Sequence, residues 1–116
     1  MLIRVDPASP LPIFAQIAAG VRREVIEGHL ASGDRLPAAK DVARSLDVNL
    51  HTVLRAYQEL RDEGLVDLRR GRGAVVTGQP AAEVEVGEAV RALIRAATSA
   101  GLTQQETVSL VAKEWS

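Results

Sequence analysis

Cysteine is absent from this 116-residue chain, which excludes a disulfide scaffold, a thiolate metal site and a cysteine nucleophile. Aromatic residues make up only 3% of the sequence, so the core is expected to be aliphatic. No apolar run reaches the roughly 20 residues of a membrane-spanning helix. The start, MLIRVDPASP, lacks the apolar stretch of a signal peptide. The expected location is therefore the cytoplasm.

An excess of charge of one sign is also lacking, because the net charge at pH 7 is −1. Hydrophobic residues at 47% and charged residues at 25% are typical of a globular chain. The basic residues are nevertheless concentrated. Residues 35–73 hold eight basic and six acidic residues, whereas residues 79–116 hold three and five. The excess is sharpest in RRGRG, and a local patch of this kind suffices for phosphate contacts.

Apolar periodicity predicts three helices before RRGRG. The first lies in SPLPIFAQIAAGVRREVIEGHL, and the second is PAAKDVARSL, opened by Pro37. A tight turn at Asp47 leads to the third, residues 49–63, which Asn49 can cap. The runs LVDL and AVVT then predict a β-hairpin with RRGRG at its tip. This order is that of a winged helix-turn-helix, in which the third helix can enter the DNA major groove.

The C-terminal part predicts a second, smaller region. GQPAAEVEVG has the composition of a linker, and two helices follow, split at Gly101, with Thr103 and Glu106 in capping-box spacing. Their apolar stripes cannot form a core alone, so they must pack on the winged domain or on a second copy. We therefore expect a DNA-binding domain at residues 1–78 and a linker with a two-helix dimerisation and possible effector region at residues 79–116.

Residues 10–77 closely resemble the GntR family of bacterial winged-helix transcription regulators. The matching segments are PLPIFAQI, GHLASGDRLP, DVARSLDVNLHTVLRAYQELRDEGLV and RGRGAVV. The third of these resembles the YtrA-like branch in particular, whose short C-terminal appendage of two helices fits the size of residues 83–115. The resemblance implies a fold that is mainly α with a small β-hairpin, and a homodimeric repressor of its own or a neighbouring operon. Its operator in double-stranded DNA is expected to be palindromic.

The predicted elements and the family resemblance together indicate the functional residues. Helix 49–63 is expected in the major groove, and the wing, residues 69–73, on the flanking backbone or in the minor groove. The DNA-binding residues are predicted to be Arg35, Lys40, Arg44, Asn49, Leu50, His51, Thr52, Arg55, Arg70, Gly71, Arg72 and Gly73. Arg55 is the best candidate for a base contact, through guanine O6 and N7. The dimerisation residues are predicted to be Val90, Leu93, Ile94, Ala97, Val108, Val111 and Trp115.

The chain departs from the family pattern near the expected DNA surface. Ala38 and Lys40 stand where the family often has serine and arginine, and Leu50 and His51 stand where the YtrA-like pattern often has proline and asparagine. Ala38 forfeits a helix cap, and Lys40 keeps the charge without the bidentate fork of arginine. The operator sequence therefore cannot be inferred from the operators of relatives.

Two other classes of function compete with DNA binding. A winged helix can serve as a protein–protein interaction module without nucleic acid, because fold does not fix function. A small enzyme is the second rival, but the sequence offers no close catalytic set, and we expect no enzyme activity, metal or cofactor. A small-molecule effector is possible, and the sequence does not identify one.

Overall fold

Helix α1 covers Ile13–Ile26 in the computed structural model, which describes residues 3–116. Pro12 lies directly before the first helical residue with an extended backbone. The helix ends before Gly28, whose φ of 81° costs glycine little. The buried residues of the helix are Ile17, Ala18, Val21, Arg22 and Val25. Apart from the arginine, this stripe is the apolar face that the sequence periodicity predicts.

Helices α2 (Ala39–Leu46) and α3 (Leu50–Asp62) are joined by a tight three-residue turn. Asp47 takes the left-handed conformation, with φ at 54°. Asn49 caps α3, and its Oδ1 accepts a 2.8 Å hydrogen bond from the backbone N–H of His51. The predicted helix-turn-helix is confirmed in both its turn and its cap.

The start of α2 differs from the prediction. Pro37 is expected to open this helix, whereas the first helical residue is Ala39. The carbonyl oxygen of Pro37 instead accepts a hydrogen bond from the Tyr57 hydroxyl, at 2.6 Å between the two oxygens. This bond ties the segment before α2 to α3. Because its partners lie 20 positions apart, a local sequence pattern cannot reveal it.

The residue before α2 provides a first testable prediction. Ala38 is the N-cap and has no side chain that could accept a hydrogen bond from the first turn. Ala38→Ser is expected to raise the free energy of unfolding by about 1 kcal/mol, because the serine Oγ can accept from one of the open N–H groups. Urea unfolding measures the change. Ala38→Val adds volume without an acceptor, so equal stabilisation by both variants would contradict the capping explanation.

A β-hairpin follows α3. Strand β1 (Val66–Arg69) and strand β2 (Gly73–Val76) are antiparallel, in a register that pairs Arg69 with Gly73 and leaves a three-residue loop. Gly71 within this loop has a φ of 78°, and Gly73 has a φ of 72°. Both values lie in the region that side chains disfavour and glycine tolerates. The predicted hairpin is therefore confirmed, with RRGRG at its tip.

The hairpin has a third member that the sequence does not indicate. Residues 33–36 run alongside β2. The N–H of Leu36 donates to the carbonyl oxygen of Ala74 at 2.8 Å, and Arg35 pairs with Val75 in an antiparallel bridge. Arg35 is therefore held beside the wing by backbone hydrogen bonds.

The core is aliphatic, as the composition predicts. It joins α1, α2, α3 and the hairpin through one cluster of buried side chains. Tyr57 is the single aromatic residue in that cluster, and Phe14 packs against its edge. The largest fully buried side chains are Ile17, Val21, Val53, Leu60, Leu65 and Val66.

The C-terminal helices are α4 (Ala81–Ser99) and α5 (Gln104–Glu114). The predicted capping box at the start of α5 is present. The Thr103 hydroxyl accepts from the N–H of Glu106 at 3.1 Å, and the Glu106 carboxylate accepts from the N–H of Thr103 at 3.0 Å. Hydrogen bonds to the carboxylate, first from the Thr103 backbone N–H and then from the Thr103 side chain, lower the pKa of the Glu106 carboxyl below its usual value.

The predicted linker is mostly helix. Only four residues separate β2 from α4, because α4 begins at Ala81, directly after Pro80. Val84, in the first turn and a half of α4, is buried in the core described above. An apolar contact far along the chain thus gives helical order to a segment whose composition is typical of a linker.

The chain divides into two compact units, one ending at Glu85 and the other beginning at Val86. The division into residues 1–78 and 79–116 stays a prediction about function, with DNA binding in the first part and dimerisation in the second. Along the described residues 3–116, none of the helices combines the length and the apolar content needed to span a bilayer.

Candidate nucleic-acid interface

The first two turns of α3 present polar side chains to solvent. Asn49, His51 and Arg55 are exposed, whereas Leu50 and Thr52 are half-buried. The N-terminus of a helix carries a partial positive charge and open N–H groups, which favour an anionic partner. These five residues, Asn49, Leu50, His51, Thr52 and Arg55, form the predicted reading surface. They lie together at the N-terminal end of α3, and the surface is open to solvent.

The side chain of Arg55 is held in a specific position. Its Cζ atom lies 3.7 Å from the centroid of the Phe14 ring, a cation–π stack between α3 and the first turn of α1. Arg55 is among the residues predicted from the sequence, whereas Phe14 is not. Phe14 and Arg55 both lie in segments that match the family, PLPIFAQI and the longer segment that contains TVLRAY. Nothing in either segment indicates that the two side chains meet.

The hairpin tip is cationic and open. Arg70, Gly71, Arg72 and Gly73 are all exposed. Within residues 3–116, neither Arg70 nor Arg72 takes part in a salt bridge, whereas Arg69 pairs with Asp67 at 3.3 Å. The two arginines of the loop thus keep their donors available for an external anion.

Three further predicted phosphate-binding residues are also exposed. Lys40 and Arg44 lie four positions apart on α2 and so share one face of that helix. Arg35 lies beside the wing, where it forms an isolated bridge with Val75 of β2. In the part of the chain that the structure describes, none of the three forms a salt bridge. The structure therefore places these cations on α2 and beside the wing, and these two elements flank α3 in the chain.

Two polar contacts anchor α3 to other parts of the fold, one to the segment before α2 and one to α1. The Tyr57 hydroxyl donates to Pro37, and burial raises the pKa of this phenol to about 12, so it remains a neutral donor at ordinary pH. At the C-terminal end of α3, Arg22 of α1 donates from Nε to Glu63 Oε1 at 2.8 Å. Both side chains of that pair are largely buried. Neither contact can be predicted from the sequence, because the partners lie 20 and 41 positions apart in the chain.

The C-terminal unit carries an apolar groove of about 680 Å³ between α4 and α5. Val90, Ile94 and Val108 line it and are exposed, and Leu93 lines it half-buried. The groove is open to solvent rather than enclosed by the two helices. Apolar side chains exposed together in one groove are typical of surfaces that bind another protein or a small ligand.

The remaining predicted dimerisation residues differ in their surroundings. Val111 lines the groove and is exposed, whereas Ala97 lines it but is already buried within the chain. Trp115 follows α5 and is 82% exposed, so most of its surface is open to solvent. Among residues 3–116, no group of three or more acidic or histidine side chains is arranged to hold a metal ion.

Residues 14–76, more than half of the chain, match the family model described as "Bacterial regulatory proteins, gntR family". The chain belongs to the gntR family. The resemblance inferred from the sequence is thereby confirmed, together with the winged helix-turn-helix fold class and, at the level of the family, DNA-binding transcription regulation.

Individual relatives of this gntR-family chain agree with that assignment. It is 36% identical over 76 residues to the HTH-type transcriptional repressor YtrA of Bacillus subtilis, covering 66% of the chain but only 58% of that relative. The solved structure of YtrA from Sulfolobus acidocaldarius, a GntR-family transcription factor, is 34% identical with a TM-score of 0.64, covering 81% of this chain and 99% of that one. The likeness to the YtrA branch is therefore confirmed, and these relatives are regulators rather than enzymes.

A third match includes nucleic acid. The DNA-binding domain of AraR, solved in complex with operator ORE1, superimposes with a TM-score of 0.57 at 21% identity, covering 66% of this chain and 94% of that one. At this identity the match shows a shared fold. What AraR binds is a property of AraR, and its bearing on this gntR-family protein belongs to the proposal below.

Proposed function

We propose that this protein is a homodimeric repressor that binds a palindromic operator in double-stranded DNA, in its own or a neighbouring operon. The N-terminal half of α3 enters the major groove. The hairpin tip lies on the flanking backbone or in the minor groove. The AraR complex, a winged domain of the same fold on operator DNA, supports this mode of binding.

One observation carries the proposal: five exposed cations on α2 and at the wing form no salt bridge within residues 3–116. The chain as a whole has a net charge of −1, and several arginines are neutralised within it, namely Arg22, Arg23, Arg61 and Arg69. By contrast, the predicted phosphate contacts are exposed and form no salt bridge within residues 3–116; they are Arg35, Lys40, Arg44, Arg70 and Arg72. Cations kept free on α2 and the wing, on either side of α3 in the chain, suit a polyanion.

The roles divide by chemistry. Arg55 carries a planar fork of donors and lies one turn after the helix start, so it is assigned to a guanine in the major groove. His51 and Asn49 lie at the same end and are assigned to neighbouring base edges or phosphates. The loop arginines Arg70 and Arg72 are assigned to sugar-phosphate, because glycines beside them let the backbone come close to the duplex.

The test of the wing is a salt titration. A duplex selected by the protein from a random-sequence pool is bound at several salt concentrations. Arg72→Ala is expected to weaken binding to all duplexes alike and to reduce the slope of log K against log salt by about one unit, since one phosphate contact is lost. Arg95→Ala on α4 removes the same charge from an exposed site outside the winged domain, and it should leave affinity and slope unchanged.

The outcomes separate the rival functions. A wild-type chain that binds no duplex, at any salt concentration, would favour the protein–protein interaction module. If Arg72→Ala and Arg95→Ala reduce the slope equally, the effect comes from overall charge and the wing has no specific role.

The dimer is proposed from the exposed groove of the C-terminal unit. Val90, Ile94 and Val108 are each about half exposed, at 48%, 55% and 57%. Covering them with the same groove of a second copy would form a two-fold interface, in which one patch serves both subunits. A two-fold pair also matches a palindromic operator, because each subunit then reads one half-site.

A further inference from the structure

The stack between Arg55 and Phe14 joins the proposed reading surface to the core. Phe14 is half-buried in the first turn of α1 and packs against the hydrophobic cluster, so its ring is held firmly. The guanidinium of Arg55 lies over that ring, with Cζ 3.7 Å from the centroid. The side chain is nevertheless exposed, and within residues 3–116 it forms no salt bridge.

We infer that Phe14 is a positioning residue for base recognition, which holds the guanidinium of Arg55 ready for a guanine. This inference rests on the proposed function. Stacking occupies a face of the planar group and leaves the N–H groups at its edge, which are the donors that a guanine needs. An unsupported arginine loses rotamer freedom when it binds, whereas one already stacked loses less of it.

Two alternative roles for the stack of Arg55 on Phe14 make different predictions. If the stack held Arg55 away from the duplex, binding would have to break it, and removing the ring would strengthen binding. If the stack only stabilised the fold, removing the ring would lower stability and leave base preference unchanged. The sign and the base dependence of the effect therefore discriminate among the three roles.

The experiment compares variants of Phe14 in the wild-type chain and in a chain that carries Arg55→Ala. Phe14→Leu keeps an apolar side chain but removes the ring, and Phe14→Tyr keeps the ring. Affinity is measured for the duplex selected by the wild-type protein and for duplexes substituted at each position. Phe14→Leu is expected to weaken binding about two- to fivefold. It should do so chiefly at the position where Arg55→Ala relaxes the preference for guanine, and Phe14→Tyr should behave as wild type.

The second background isolates the contact. In the Arg55→Ala background, Phe14→Leu should cause no further loss of affinity, because there is no guanidinium left to position. Arg55→Lys keeps the charge without the planar fork, and it should lose the same base preference. Circular dichroism verifies the fold, and Phe14→Met replaces Phe14→Leu if the leucine variant does not fold.

Three results would overturn the inference: tighter binding by Phe14→Leu, an unchanged base preference, or an equal loss with and without Arg55. Failure of the proposed function is distinguishable from these. In that case the wild-type protein would select no duplex from the pool, and every variant would share that result.

Discussion

Ile94→Glu is expected to make the protein monomeric and to weaken binding to a two-half-site duplex by about 100- to 10,000-fold. Ile94 lines the apolar groove between α4 and α5 and is 55% exposed in the single chain. A carboxylate at this position would have to be buried between two subunits without a cation to pair with it. In a dimer, binding of one subunit to its half-site holds the second subunit at a high effective concentration near the other half-site. A monomer loses this advantage.

The measurement combines mass and affinity. Analytical ultracentrifugation gives the oligomeric state, and a binding titration gives the affinity for duplexes with one or two half-sites. Ala96→Glu is the matched control, because Ala96 is exposed on the same helix but does not line the groove. It should remain dimeric. The affinity of Ile94→Glu for a single half-site should match that of wild type, since the winged domain is unchanged.

Two results would count against the proposed dimer. If Ile94→Glu stays dimeric, the groove is not the interface and another surface must be sought. If it becomes monomeric yet binds the two-half-site duplex as tightly as wild type does, the dimer exists but contributes nothing to operator binding.

Local patterns in the sequence predict most of the elements of this fold. The left-handed turn at Asp47, the Asn49 cap and the capping box at Thr103 follow from side-chain chemistry within a few residues. The hairpin follows from two apolar runs around glycines that take a positive φ. Signals of this kind need no knowledge of the rest of the chain, which is why they can be predicted.

The features that the sequence misses all depend on distant partners. The segment around Arg35 runs beside the wing only because β2 offers it hydrogen-bond partners. Likewise, α4 begins early because Val84 packs into the core. The stack of Arg55 on Phe14 joins two helices, and its geometry requires the tertiary structure. Site residues can thus be proposed from sequence, whereas what positions them cannot.

Glu63→Ala is expected to lower the free energy of unfolding by about 3–5 kcal/mol, the usual cost of removing one partner from a buried ion pair. Glu63 Oε1 accepts from Arg22 Nε at 2.8 Å, and the two side chains are only 19% and 6% exposed. Without the carboxylate, the guanidinium stays buried at the junction of α1 with the end of α3 and loses this anionic partner. Urea unfolding of the full chain measures the loss.

The neighbouring carboxylate provides the control. Asp62 pairs with Arg61 at 3.2 Å, but its side chain is 70% exposed, so Asp62→Ala should cost less than about 1 kcal/mol. The double variant Arg22→Met with Glu63→Leu removes both charges and should be markedly more stable than Glu63→Ala, because no charge is left buried. If Glu63→Ala costs no more than Asp62→Ala, the pair contributes no net stability, and the α1–α3 junction is held by apolar packing alone.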